Sequence, residues 1–119
     1  MAHTLTLLTD HLGSNKPKVM GIEYCIDAVL DITDYEVAGI PVTASSLGLS
    51  KITQAMICGY ESVAYVPKIS TTTTGSYDTT SAFTVMVLEP NDADADAMAT
   101  GGEDITNVGT IRLRVWGTL

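Results

Sequence analysis

From Val19 to Thr33 the chain reads VMGIEYCIDAVLDIT, with apolar residues on every second position. Met20, Ile22, Tyr24, Ile26, Ala28, Leu30 and Ile32 share one side. Glu23, Asp27 and Asp31 share the other with Gly21, Cys25 and Val29. Alternation of period two marks a strand with one dry and one wet face. Wound as a helix, the same apolar residues would circle the axis. The acids would then stack as like charges four apart, at roughly 0.2–0.5 kcal/mol per pair. Ile, Tyr and Val also favour strands. The pattern therefore predicts one long strand whose even residues are core. At about 3.3 Å per residue it would run to roughly 45 Å, long enough to expect a bend or bulge near Gly21 or Ala28.

The same reading extends along the chain. His3 to Thr9 alternates Leu and Thr as a short first strand, followed by a turn-rich loop, DHLGSNKPK. After the long strand, Gly39 and Pro41 break the chain, and Thr43 is placed to cap one short helical turn over Ser45 to Leu49. KITQAMICGYE and SVAYVPKIS read as two strands, with Ile52, Met56, Val63, Tyr65 and Ile69 as core and Pro67 at an edge or strand end. TTTTGSYDTTS is a polar tip. AFTVMVLEP is apolar on both faces, which suits a central sandwich strand or a subunit contact through Met86 and Leu88. In the closing strand VGTIRLRVWGTL, Ile111, Leu113 and Val115 alternate with Arg112, Arg114 and Trp116. Strands separated by turn-rich loops, with at most one helical turn, predict an all-β fold. An antiparallel β-sandwich or a barrel-like domain of jelly-roll or tulip type fits, with long loops.

Composition narrows the functions. A chain of 119 residues makes one β domain, 1–119, and buries about two-thirds of its unfolded surface without metal or disulfide. Six basic against 14 acidic residues give a net charge of -8, which disfavours nucleic acid and anionic membranes as partners. No apolar run approaches the ~20 residues of a membrane helix, and the N-terminus lacks the basic start of a signal peptide. Cys25 and Cys58 have no CxxC spacing, so free thiols are expected, with Cys25 on the outer face of its strand.

Candidate chemistry is sparse. Asp92, Asp94, Asp96, Thr100 and Glu103 match positions 1, 3, 5, 9 and 12 of an EF-hand loop. Ala97 stands where the sharp turn needs Gly, and the flanks are strands, so a solvated acidic tip is the expectation and calcium is the one cofactor to test. His3 and His11 have no partner at metal-ligand spacing. There is no GxSxG elbow, and Gly101-Gly102 precedes acids, the wrong sign for a phosphate loop. The expectation is a protein without catalytic residues. Arg112, Arg114 and Trp116 would share one strand face, either paired with neighbouring acids such as Glu23 and Asp27 or serving as an interface anchor.

GIPVTASSLGLSKITQAMICG, from Gly39 to Gly59, resembles a pattern recurrent in small structural proteins of tailed bacteriophages. The TLT start, the long early strand and the alternating TIRLRVWGTL end occur in the same order, so the resemblance covers most of the chain. It implies a capsid decoration, or cement, protein, made in the host bacterial cytoplasm and bound to the outer surface of the virion head. There it would bridge major capsid proteins as a small oligomer, a homotrimer first and a dimer second. The segments 1–18 and 108–119 are the expected subunit contacts. The alternatives are a tail or head-fibre component and a free calcium- or carbohydrate-binding β-sandwich.

Overall fold

The computed structural model describes residues 2–34, 39–62, 65–70, 81–88 and 108–119. Among these residues eight strands run in the order β1 (Ala2–Leu7), β2 (Lys18–Met20), β3 (Glu23–Asp34), β4 (Ile40–Thr43), β5 (Lys51–Tyr60), β6 (Val66–Ser70), β7 (Ala82–Leu88) and β8 (Gly109–Thr118). The larger sheet has the order β1-β3-β8-β5, with β2 also paired to β3; the smaller has the order β4-β7-β6. Every pairing is antiparallel. The all-β sandwich expected from the alternation is the fold.

The core lies between the sheets. Ile26, Ala28, Leu30 and Ile32 of β3 and Ile111, Leu113 and Val115 of β8 meet Ile40 and Val42 of β4 and Phe83, Val85 and Val87 of β7. Leu30 is opposite Ile111 and Ala28 opposite Leu113, so the even residues of one strand and the odd residues of the other line a single face. A fully buried Leu or Ile of this kind contributes roughly 1.5–3 kcal/mol. β7 is the middle strand of its sheet, which accounts for its two apolar faces: Val85 and Val87 are buried, whereas Met86 and Leu88 lie half-buried on the outside.

Four expectations are corrected. First, the long strand is broken: β2 and β3 form a hairpin in which Met20 is opposite Glu23 across Gly21 and Ile22. Gly21 has φ 72°, a left-handed conformation that suits the first position of a two-residue hairpin turn. Met20 and Ile22 are consequently exposed rather than core. Second, Ile40–Thr43 is a strand despite Gly39 and Pro41; β4 is an edge strand, where a missing N–H is tolerated. Third, Met56 is exposed, because the register of β5 against β8 shifts between Ile52 and Gln54; a second shift follows between Ile57 and Gly59. Each extra residue inverts the parity, so Ile52 points inward, Ala55 and Ile57 take over the inner face, and Met56 turns out. Fourth, Cys25 is buried, although its strand position is on the outer face.

The short turn is Ser45–Leu47, closed by Gly48 at φ 78°. Its N-cap is Ala44, without a side-chain cap, and not the expected Thr43. Thr43 stands one position upstream, where Ser46 Oγ–H donates to its carbonyl at 2.7 Å and Ser46 N–H reaches its Oγ1 at 3.4 Å. Pro67 sits on β6, an edge strand, with Tyr65 and Ile69 packed against the core; Val63 lies outside the described residues.

Candidate interaction surface

The outer face of the larger sheet is built by the residues that the core does not use. On β3 these are Glu23, Cys25, Asp27, Val29 and Asp31, and on β8 they are Arg112, Arg114 and Trp116. The register sets Asp27 directly opposite Arg114, with Arg112 one step along the same face, opposite Val29. Asp27 Oδ1 accepts from Arg114 Nε at 2.7 Å, and Oδ2 accepts from Arg114 at 2.9 Å and from Arg112 at 3.0 Å. This bidentate clamp holds the Asp27 carboxyl down at about 2, chiefly through its bonds to Arg114, and raises Arg114 in turn. A carboxylate so fixed is far from the pKa that proton transfer near neutrality requires. Its role here is to hold two guanidinium groups in place.

The neighbours of the clamp complete the face. Trp116 is half-buried between Cys25 on β3 and Gln54 on β5, and Met56 flanks Arg114 from the β5 side. Glu23, a second predicted partner of the Arg stripe, instead accepts from Thr53 Oγ1 at 2.9 Å. Asp31 faces Thr110 on one side and Thr4 on the other. Burial pushes the Cys25 thiol up, whereas Cys58 stands exposed on the bulge of β5.

Between β1 and β2 the chain folds over one end of this face. Asp10 builds the turn: its Oδ1 accepts from Leu12 N–H at 2.8 Å and Ser14 N–H at 2.9 Å, while Oδ2 meets Lys18 Nζ at 3.1 Å. These N–H groups, Ser14 first, and Lys18 lower the Asp10 carboxyl to about 2. The turn leaves a groove of about 580 Å³. It is lined by Leu8, Thr9 and His11 of the turn, Lys18, Val19 and Met20 of β2, Cys25 and Asp27 of β3, and Arg112 and Arg114 of β8.

Beyond the groove the hairpin projects an apolar tip. Ile22 is 87% exposed, Val19 67% and Met20 51%, and Leu12 on the neighbouring turn is 81% exposed. Half of the exposed large apolar side chains among the described residues therefore belong to this end. The alternation assigns Met20 and Ile22 to the core and gives no sign of Leu12 or Val19 as surface contacts. Gly21, inside an otherwise apolar run, was the one signal of a reversal.

The predicted site residues thus divide into three groups. Arg112, Arg114 and Trp116 come together on the outer face of the larger sheet. Met86 and Leu88 lie on the outer face of the other sheet. Asp92, Asp94, Asp96, Thr100 and Glu103 lie outside the described residues. Among the described residues, no group of three or more His, Cys, Asp or Glu is placed to hold a metal ion, and no helix is long and apolar enough to cross a membrane. Comparison with protein-family models, with curated proteins and with solved structures returns no match.

Proposed function

We propose that this protein is a virion structural component that decorates the head of a tailed bacteriophage, binding the outer surface of the capsid and bridging neighbouring major capsid proteins. It works by adhesion, without catalysis. The observation that carries the reading is the exposed apolar end: Leu12, Val19, Met20 and Ile22 stand outside the core that the two sheets bury between them. Clustered apolar surface of this sort marks a contact with another macromolecule. The adjoining face supports the same reading, because a half-buried Trp beside two fixed Arg side chains has the composition of an interface hot spot. The sequence resemblance supplies the partner, and the net charge of -8 is consistent with a solvent-facing decoration.

The test is made on particles. Virions purified on a density gradient should carry this chain with full heads in a fixed ratio to the major capsid protein. Heads stripped of it should lose stability, and added wild-type protein should restore both, whereas a Met20→Asp/Ile22→Asp variant should not rebind. Recovery of the chain in tails would identify a tail component instead, and its absence from particles would overturn the proposal.

A further inference from the structure

Among the described residues five strands lie at a sheet edge, β1, β2 and β5 in the larger sheet and β4 and β6 in the smaller, and all but β1 are guarded against pairing with another chain. β2 is only three residues long and begins at Lys18. β4 is four residues long and contains Pro41; β6 contains Pro67. β5 is bent by its two register shifts. β1 has no such device. From His3 to Leu7 its register with β3 is unbroken, and the segment contains neither Pro nor Gly nor an acid or Lys/Arg side chain.

The direction of its backbone groups follows from two hydrogen bonds. Leu8 N–H donates to the Asp27 carbonyl at 2.9 Å, and Val108 N–H donates to the Ile32 carbonyl at 3.0 Å. The odd residues of β3 therefore face β1 and the even ones face β8. By the same alternation Thr4 and Thr6 are spent on β3, and the N–H and C=O groups of His3, Leu5 and Leu7 point away from the sheet.

We propose that this edge is a self-pairing seam, closed by a second copy of the same chain with its β1 antiparallel and a two-fold axis at Leu5. The sequence HTLTL is self-complementary about that point. Leu5 meets Leu5 of the second copy, Thr4 meets Thr6 on the outer face, and His3 meets Leu7 on the inner face. The outward groups form about six backbone hydrogen bonds in the closely spaced pairs that antiparallel geometry provides. Although each chain carries a net charge of -8, no acid falls within the seam, so the two copies meet without opposed carboxylates. A two-fold seam closes at two copies, and it joins the larger sheets into one continuous sheet. The assembly is then a dimer rather than the trimer that the sequence resemblance implies. This inference concerns the free protein and stands apart from the capsid reading.

Sedimentation velocity on the full chain at tens of micromolar should give a dimer that dissociates on dilution, because so short a seam buries less than a standard interface. Thr4 and Thr6 are exposed. Thr4→Lys/Thr6→Lys sets Lys against Lys across the seam and should weaken dimerisation about tenfold or more. Thr4→Glu/Thr6→Lys sets opposite charges there and should restore it. Hydrogen exchange on the wild type gives a readout that needs no variant: the Leu5 and Leu7 amides should become protected as concentration rises. A wild-type monomer or trimer, a dimer indifferent to both charge variants, or amides that exchange freely at every concentration would each overturn the seam. Loss of the dimer with capsid binding intact would leave the decoration proposal standing, and the reverse would leave the seam standing.

Discussion

The stretch VMGIEYCIDAVLDIT contains two regions of equal apolarity and opposite fate. In its second half Ala28, Leu30 and Ile32 are completely buried; in its first third Val19, Met20 and Ile22 stand more than half exposed. The difference lies in what faces them. Leu30 has Ile111 beside it and packs in the core between the two sheets, whereas Val19, Met20 and Ile22 are not among the residues that form or flank that core. Hydrophobicity on this strand therefore serves two ends: one part holds the fold together, and the other is left for a partner.

The comparison is broken most severely from the buried side. Leu30→Ala removes a fully buried side chain from the centre of the core and should cost about 2–5 kcal/mol, read from the urea midpoint. A loss below about 1 kcal/mol would mean that the core collapses readily onto the gap.

A smaller effect is expected at the clamp between the two regions. The Asp27 carboxyl is depressed to about 2 by Arg114 and Arg112, against about 3.9 in an unfolded chain. A depressed folded value stabilises the fold above the unfolded pKa and loses that contribution as pH falls through the folded one. With two partly exposed guanidiniums, the contribution is about 1–2 kcal/mol. Asp27→Asn should reduce stability by that amount at pH 7 and converge with the wild type between about pH 4 and pH 2. The difference between the two unfolding curves is the quantity to follow, since Asp10 titrates over the same range in both.

The smallest effect on the fold belongs to the tip. Ile22→Asp should change stability by less than about 0.5 kcal/mol, because the side chain is 87% exposed. A melting temperature lowered by several degrees would show that the hairpin tip supports the fold and would erase the contrast with Leu30.

These outcomes also bear on what the sequence alone discloses. The parity of β8 was legible because Ile111, Leu113 and Val115 alternate with Arg112, Arg114 and Trp116 without interruption. The pairing of that stripe with Asp27 followed from matching faces. Three features escaped for identifiable reasons. The hairpin was hidden because Met20 and Ile22 keep the same parity as β3 while the chain reverses at Gly21. The first register shift of β5 separates Ile52 from Ala55 by three positions, a spacing that a period of two cannot register. Cys25 stands between Lys18 of β2 and Trp116 of β8, neighbours that no window along β3 contains. Local alternation gave the strands; the ends and irregularities that shape the surface depend on what packs from elsewhere.

The order of the larger sheet has a consequence in time. Asp27 and Arg114 are 87 positions apart, yet they are adjacent in the sheet. While the chain is being made, β3 can pair early with β1 and with its own hairpin strand, but its other edge stays open until β8 emerges. β5 has the same wait, because β8 is its neighbour as well. The sandwich therefore cannot be assembled piecewise from its N-terminal half, and the entropy of closing so long a loop must be met before the central pair rewards it. The larger sheet thus gains the strand that joins its two halves only when the last of its members, β8, has been made.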